Sequence, residues 1–285
     1  MIIDGKIISS AIKARLKEEV AALNKQGISV RLAVILVGDD PASKVYVRNK
    51  KKACEELSIY SEEYVLPKST TMDELKGLIT ELNNRKDVNG ILCQLPLPKH
   101  LDEKEVINTI DKNKDVDAFH AENVGKIMLN EEGFLPCTPA GVMEMLKYEN
   151  IEVSGKNCVV IGRSNIVGKP MSLLLLHQNA TVTICHSKTK NLKEITKKAD
   201  IIVAAVGKAK FLTKDMVKKG SVIIDVGMNR DENGKLCGDV DFKNVSKKAA
   251  FITPVPGGVG LMTVTMLMQN TILAAKRQGK IVWKE

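Results

Sequence analysis

The chain has 285 residues, 44% apolar content and a formal net charge of +9 at pH 7. It is long enough for one large domain or two ordinary domains with buried cores. Aromatic residues make up only 4% of the chain and basic residues are dispersed among acidic ones, so we expect no nucleic-acid partner; the charge suits a small polyanionic substrate or a phosphorylated cofactor equally well.

The cysteine and histidine residues indicate the cellular compartment and whether a metal site is expected. The six cysteines form no C-x-x-C pair, which predicts reduced thiols and a cytoplasmic protein. The four histidines include no pair at metal-ligand spacing, so no metal site is predicted. No apolar run approaches the roughly 18 residues that span a bilayer, so no membrane partner is expected. The N-terminal segment carries Asp4, Glu18 and Glu19, unlike a signal or transit peptide.

In the first half of the chain, short apolar runs alternate with helical patterns. The predicted elements are RLAVILVG (residues 31–38), a helix over residues 43–57, EEYVLP, a helix from about Met72, and GILCQLP (residues 90–96). Continuous apolar strands between helices are typical of a parallel sheet that is covered on both faces.

The helix over residues 43–57 carries a lysine on its apolar face. At about 100° per residue, Lys50 lies on the same side as Tyr46 and Val47, whereas the other basic residues lie on the opposite side. An ammonium against an apolar wall loses hydration, which lowers its pKa toward the range of proton transfer near neutral pH. The alternative is that Lys50 runs its stem along the surface and places its head in water.

Residues 114–141 are rich in Asp, Asn, Gly and Pro, and they are predicted to form an irregular crossing between two domains. Thr138 precedes Pro139 and a helical pattern, which indicates a capped helix that enters the second domain. The second half then repeats the strand pattern with CVVIG, TVTIC, IIVAAVG, SVIIDVG and FITPVP.

We therefore predict an α/β protein of two doubly wound domains, with a Rossmann-like C-terminal dinucleotide-binding domain and an interdomain cleft. The predicted domains are residues 1–138 and residues 139–260. The last helix, apolar over much of its circumference from Leu261 to Gln278, is expected to be buried, and the segment 261–285 is expected to pack back on the first domain.

The strand CVVIG ends in a glycine-containing loop, GRSNIVGKP. Gly162 allows a tight turn, Gly168 a close approach, and Pro170 fits the first turn of a helix whose positive end faces a phosphate. A plain strand–turn–helix explains the same residues. The strand TVTIC is followed by His186, Ser187 and Lys188 instead of the acid that NAD sites favour.

With Arg163 in the glycine loop, the absence of an acid predicts NADP as the cofactor, because a ribose 2′-phosphate would be accepted there. The alternative for Arg163 is a surface salt bridge.

Seven sequence blocks, in order through nearly the whole chain, carry a resemblance to one family. They are YVRNKKKA, GILCQLPLP, KDVDAFH, PCTPAG, GRSNIVGKP, DVGMN and TPVPGGVG. The chain thereby resembles the bifunctional methylenetetrahydrofolate dehydrogenase/cyclohydrolases of one-carbon metabolism. The resemblance implies a cytoplasmic homodimer that oxidises 5,10-methylenetetrahydrofolate with NADP and hydrolyses 5,10-methenyltetrahydrofolate to 10-formyltetrahydrofolate.

The resemblance also implies residue roles. Lys50 serves the hydrolysis, Tyr46 positions the substrate, Gln94 tunes Lys50, and Asp117 holds the pterin ring. Taken from their sequence context alone, Gln94 is equally a loop hydrogen-bonding residue and Asp117 an Asx turn or a helix cap.

The remaining implied site residues fall into two groups. The cofactor group is Gly162, Arg163, Ser164, Ser187 and Met228, where Met228 alternatively fills a core gap. The substrate group is Tyr46, Lys50, Cys93, Gln94, Leu95, Asp117, Pro256, Gly257, Gly258, Val259 and Gly260, where Gly257 and Gly258 alternatively form only a rigid turn.

The chain departs from the family pattern at two positions, with Ala118 in place of a usual glycine and Leu261 in place of a usual proline. Both changes are expected to alter the shape or closure of the substrate site. Two other functions stay open at this point. One is a related dehydrogenase of a small acid, of the shikimate type, with Lys50 as proton donor; the other is a dinucleotide-sensing or nucleic-acid-binding scaffold.

Overall fold

A computed structural model describes residues 1–282, and their Cα positions group into two compact units. The N-terminal unit comprises Ala11–Lys126, Glu132–Leu135 and the chain from Val264 onward. The C-terminal unit comprises Met1–Ser10, Ile127–Glu131 and Pro136–Thr263. Residues 283–285 of the predicted last segment lie outside the described residues.

The N-terminal unit contains a parallel sheet of three strands in the order β2-β1-β3. The strands are β1 Arg31–Val37, β2 Tyr60–Leu66 and β3 Gly90–Cys93. Helix α1 Gly5–Lys25 precedes them in the chain, α2 Pro41–Leu57 and α3 Met72–Asn84 connect them, and α4 Glu103–Thr109 follows β3. Strands β1 and β3 are buried almost throughout, which explains why they occur as continuous apolar runs.

The C-terminal unit contains a parallel sheet of five strands in the order β10-β7-β6-β4-β5. Its elements in chain order are α6 Cys137–Tyr148, β4 Asn157–Ile161, α7 Gly168–His177, β5 Thr181–Cys185, α8 Leu192–Thr196, β6 Ile201–Ala204, a 3-10 turn Lys214–Met216, β7 Val222–Asp225, the antiparallel hairpin β8 Asn229–Arg230 and β9 Leu236–Cys237, α9 Phe242–Val245 and β10 Phe251–Ile252. The predicted two-domain α/β fold with a Rossmann-like C-terminal domain is confirmed.

Three local expectations are wrong. The predicted irregular crossing contains a helix, α5 Ala121–Leu129, and the final helix α10 spans Val259–Val282, so it begins before Leu261. Thr138 does not cap the next helix: α6 begins at Cys137 after Pro136, and the Thr138 hydroxyl lies 2.9 Å from the Thr263 hydroxyl.

The two compact units differ from the predicted domains in where the first ten residues belong. Residues 1–10 belong to the C-terminal unit because Ile2 forms a parallel bridge with Ile252, and the backbone N–H of Ile3 donates to the Ile252 carbonyl at 2.9 Å. The part of α10 from Val264 onward belongs to the N-terminal unit, where the thiol of Cys54 contacts the Met268 sulfur at 3.5 Å. Within residues 1–282, no helix combines the length and the apolar content that a membrane span requires.

Candidate active site

Helix α2 directs one lysine into the interior of the N-terminal unit. The helix begins where the Asp40 carboxylate accepts a hydrogen bond from the Ser43 backbone N–H at 2.7 Å, and its buried positions are Ser43, Val47, Lys50, Ala53, Cys54 and Leu57. Only 9% of the Lys50 surface is exposed, so the alternative in which its head lies in bulk water is wrong. Tyr46 is half-buried one turn earlier, and burial raises the pKa of its hydroxyl.

Gln94 meets Lys50 at the end of β3. The Gln94 backbone N–H donates to the Ile35 carbonyl at 2.8 Å, which continues the pairing of β3 with β1 by one residue. The Gln94 side-chain nitrogen donates to the Leu95 carbonyl at 2.6 Å, and its oxygen accepts from the Lys50 ammonium at 2.8 Å. The amide is thus held in one orientation, with its acceptor end on the lysine.

Cys93 lies within electrostatic reach of two predicted site residues. Burial raises the pKa of its thiol to about 12; the negative charge of Asp117 adds to this rise, and the positive charge of Lys50 opposes it. The thiol therefore stays protonated and serves as an apolar wall rather than as a nucleophile. These influences also place Asp117 and Lys50 on the same small region around the end of β3.

The turn that carries Asp117 is held by its neighbours. The buried Asp115 carboxylate accepts from the His120 backbone N–H and from the Asn123 side chain, both at 2.8 Å. Ala118 has φ of 60°, a left-handed conformation in which alanine is strained and glycine is not, so the departure from the family pattern falls on a backbone-sensitive position. Asp117 itself is half-buried.

Two further residues that support this turn were not found by sequence reasoning. The Asn270 side chain, on α10, donates to the Val116 carbonyl at 2.8 Å and to the Leu135 carbonyl at 2.9 Å. The Lys114 ammonium donates to the carbonyls of Leu82 and Asn83 at the end of α3. A lysine at residue 114 and an asparagine within an apolar helix carry no sequence signal of such distant partners.

The glycine loop of the C-terminal unit lies at the carboxyl end of β4. Gly162 has φ of 138°, and a Cβ atom there would lie 2.3 Å from the Ala205 carbonyl oxygen, so only glycine fits. Its backbone N–H donates to the Cys185 carbonyl at 2.8 Å, which joins this loop to the last residue of β5. Backbone atoms thus shape this loop, which we call the glycine cradle. It lies next to the N-terminus of α7, where a phosphate is favoured.

The exposed residues around the cradle fit NADP. Arg163 and Ser164 are exposed in the glycine loop, and Ser187 and Lys188 are exposed after β5, where no carboxylate occupies the end of the strand. The Ser164 hydroxyl accepts from the backbone N–H of Val167 and of Gly168, both at 3.2 Å, which shapes the start of α7. A cation beside a hydroxyl suits a ribose 2′-phosphate.

Met228 and the Pro–Gly–Gly turn lie at the carboxyl edge of the same unit. Met228 is 43% exposed, so it does not fill a core gap, and its methyl carbon lies 3.0 Å from the position of a Cβ on Gly260. The Gly257 carbonyl accepts from the Gly5 backbone N–H at 2.9 Å, so the turn also has a structural role. Pro256 and Gly260 are exposed, whereas Gly258 and Val259 are buried. The substrate contacts of Pro256 to Gly260 stay a prediction.

In the described part of the chain, no group of three His, Cys, Asp or Glu side chains is arranged to hold a metal ion. The glycine cradle of the C-terminal unit is that of a dinucleotide-binding α/β protein. The N-terminal unit adds a site centred on Lys50. Models of tetrahydrofolate dehydrogenase/cyclohydrolase match both parts, the catalytic domain at residues 3–117 and the NAD(P)-binding domain at residues 136–279. The chain belongs to this family.

Relatives agree over almost the entire length. The bifunctional protein FolD of Lachnoclostridium phytofermentans is 64% identical over 277 residues, which cover 97% of this chain and 98% of that protein. The structure of the bifunctional FolD of Campylobacter jejuni is 52% identical with a TM-score of 0.96, covering 97% of this chain and 99% of that one. The Trypanosoma brucei enzyme, solved in complex with NADP and an inhibitor, is 37% identical with a TM-score of 0.94 and covers 98% of each chain. Family membership sets aside the small-acid dehydrogenase and the binding scaffold.

Proposed function

We propose that this protein oxidises 5,10-methylenetetrahydrofolate to 5,10-methenyltetrahydrofolate with NADP and hydrolyses the product to 10-formyltetrahydrofolate. The observation that carries the proposal is the buried Lys50 ammonium, 2.8 Å from the Gln94 side-chain oxygen, in a chain of this family. The relatives named above support both activities and the choice of NADP.

The oxidation needs positioning more than acid or base catalysis. The hydride leaves a carbon flanked by two nitrogens, whose lone pairs delocalise the positive charge that forms. NADP supplies the hydride acceptor. We assign its phosphates to the Gly162 cradle and α7, and its 2′-phosphate to Arg163 and Ser187.

The hydrolysis needs a group that both takes and gives a proton. A water molecule loses a proton as it attacks the methenyl carbon, and a ring nitrogen gains one when the ring opens. Burial disfavours the charged form of a lysine, so Lys50 is suited to both steps. Gln94 fixes the direction of the Lys50 ammonium.

Substrate orientation is assigned to Asp117 and Tyr46. An ionised carboxylate accepts two N–H bonds from an aminopyrimidine, the part of a pterin that Asp117 would hold. The Tyr46 hydroxyl stays protonated because burial raises its pKa, so it remains a hydrogen-bond donor beside the lysine. Cys93 and Leu95 line the end of β3 next to these groups.

We further propose that the enzyme is a cytoplasmic homodimer. All six cysteines are free, and five of them are buried, which suits a reducing compartment. Among the described residues β2 pairs only with β1, and it exposes Tyr60 and Val65, which offers an open sheet edge to a second copy. Sedimentation equilibrium of the purified chain tests the dimer; a single species at the monomer mass of 31.2 kDa contradicts it.

The first test of the proposed function is an assay with methylenetetrahydrofolate and each nicotinamide cofactor, in which the absorbance of reduced cofactor and of the methenyl product is followed. We expect Lys50→Met to lose hydrolysis by about 10² to 10⁴-fold and to retain measurable hydride transfer.

Lys52→Met is the matched control, because Lys52 is exposed on the other side of α2. Both of its activities should stay within about twofold of the wild type, since the substitution changes only a solvated charge. Normal cyclohydrolase activity in Lys50→Met would refute the role of Lys50.

A further inference from the structure

A carboxylate lies buried in the C-terminal unit, outside the lysine-centred site. Asp239, between β9 and α9, has no exposed surface. One of its oxygens accepts from the backbone N–H of Val206 at 2.6 Å and of Gly207 at 3.1 Å. The other accepts from the Lys208 backbone N–H at 2.8 Å and from the Asn229 side chain at 2.9 Å. Four donors from two loops therefore converge on one side chain.

A second buried carboxylate holds Asp239 in place. Asp225, the last residue of β7, accepts from the backbone N–H of Asp239 and of Val240 at 2.9 Å each, and from that of Gly227 at 3.0 Å. Burial raises the pKa of Asp225 to about 7, and the negative charge of Asp239 also raises it, against the three backbone bonds that lower it.

The two carboxylates fit their surroundings without spare room. A Cβ on Gly238 would lie 1.9 Å from an Asp225 oxygen, and a Cβ on Gly227 would lie 2.3 Å from the Asp239 carboxyl carbon. Among residues 1–282, neither carboxylate takes part in an ion pair. Asp239 faces only amide donors, and the four hydrogen bonds that it accepts satisfy its carboxylate without a cation.

The loops that Asp239 holds adjoin the glycine cradle. Val206 to Lys208 follow β6, which lies between β7 and β4 in the sheet, and Asn229 follows Met228 after β7. Ala205 precedes Val206, and its carbonyl oxygen is the atom that a Cβ on Gly162 would strike. Asp239 therefore binds the backbone of Val206, and the preceding residue, Ala205, donates to the Ile161 carbonyl at 2.8 Å and adjoins Gly162.

We propose that Asp239 is a positioning residue for the nicotinamide dinucleotide: its side chain holds the segments after β6 and β7 in the positions that cofactor binding requires. The inference rests on the proposed NADP-dependent activity. It concerns the dehydrogenase alone, because Lys50 and Gln94, which are assigned to hydrolysis, both lie in the other unit. A carboxylate is required because every one of its four partners is a donor.

The test compares Asp239→Asn with Asp200→Asn. Asparagine has nearly the same shape but turns an N–H₂ group toward N–H donors. Asp200 is the control: its carboxylate accepts from the Asn157 backbone N–H at 2.8 Å and also pairs with Lys218, and because it precedes β6 it lies at the opposite end of the same sheet. The measurements are the KM for NADP, the kcat of oxidation, the rate of methenyltetrahydrofolate hydrolysis without NADP, and the Tm.

We expect Asp239→Asn to raise the KM for NADP at least 10-fold, with hydrolysis within about twofold of the wild type. Asp200→Asn should lower the Tm but leave the KM for NADP within about twofold. An unchanged KM in Asp239→Asn, or an equal rise in both variants, overturns the inference, whereas a wild-type chain without NADP-dependent turnover overturns the proposed function instead.

A milder variant protects the test against misfolding. Asn229→Ala removes one of the four donors to Asp239 and leaves the carboxylate in place. We expect it to raise the KM for NADP about threefold, with hydrolysis unchanged. If Asp239→Asn does not fold, an unchanged KM in Asn229→Ala overturns the inference.

Discussion

Gln94 has two ends with different partners, and this makes it a sensitive probe of Lys50. Its nitrogen is committed to the Leu95 carbonyl, so only its oxygen faces the ammonium. A glutamate in this place would put a negative charge beside Lys50. Opposite charges favour the protonated lysine, so its release of a proton would require a higher pH.

We therefore expect Gln94→Glu to lower cyclohydrolase activity at least 10-fold at neutral pH and to move the rising limb of its pH–rate profile to higher pH. The comparison is Gln26→Glu, since Gln26 is exposed at the end of α1. The measurement is the hydrolysis rate between about pH 6 and pH 10. A profile of unchanged midpoint would contradict a proton-transfer role for Lys50.

Arg163 is the residue expected to read the ribose 2′-phosphate. It is exposed in the glycine loop, and the residue after His186 in the adjoining loop is Ser187 instead of an acid. We expect Arg163→Ala to raise the KM for NADP by about 10-fold or more and to leave that for NAD within about twofold, since NAD lacks the phosphate. Lys156→Ala, at the opposite end of β4, is the control. Equal losses for both cofactors would remove this role from Arg163.

Ala118 marks the limit of what residue identity can predict. The sequence showed an alanine where the family usually has glycine, but the consequence depends on the backbone. Its φ of 60° and its full burial became known only from the structure. The buried position of Lys50 could be predicted from the sequence because helical periodicity alone places it on the apolar face. The contacts of Asp239 could not be predicted, because its partners follow different strands.

At the scale of secondary structure, the buried elements were the predictable ones. The strands of both sheets are short apolar runs, and the face of α2 follows from spacing. Helix α5 was missed because it has only nine residues and a glycine, Gly125, near its middle. Thr138 was assigned as a cap by residue type, but Pro136 occupies the cap position and the helix begins at Cys137, two residues earlier than a cap at Thr138 implies.

Lys114 shows how a single side chain supports one helix. Its ammonium donates to the carbonyls of Leu82 at 3.0 Å, Asn83 at 2.8 Å and Arg85 at 2.6 Å, which lie at the C-terminal end of α3, where carbonyls lack partners within the helix. A cation at this end also complements the helix dipole. We expect Lys114→Met to lower the free energy of unfolding by about 2 to 4 kcal/mol, measured by urea denaturation.

The matched control for Lys114 is Lys112→Met. Lys112 is 45% exposed and, among residues 1–282, pairs only with Glu122 on the surface, so its loss should cost no more than about 1 kcal/mol. Equal effects of the two substitutions would show that the contacts of Lys114 with α3 contribute little.

At the scale of the whole molecule, acid should destabilise the protein in two ways. The formal charge is already +9, so protonation of carboxylates increases self-repulsion. In addition, some carboxylates are bound more tightly in the folded state than in the unfolded chain. Glu62 is the clearest case: Arg85 donates to it at 2.7 and 2.9 Å, Tyr64 at 2.7 Å, and Arg31 also pairs with it.

These bonds, led by those from Arg85, lower the pKa of Glu62 from 4.5 to about 2. A carboxyl group whose folded pKa is depressed adds stability above its unfolded pKa and loses it as the pH falls through the folded value. We therefore expect the Tm to fall between about pH 4.5 and pH 2, and Glu62→Gln to flatten this part of the Tm–pH curve while lowering the Tm at pH 7. Glu63→Gln, which removes an ion pair with Lys51, should keep the wild-type slope of Tm against pH. If Glu62→Gln also keeps that slope, the fall of the Tm in acid is due to net charge alone.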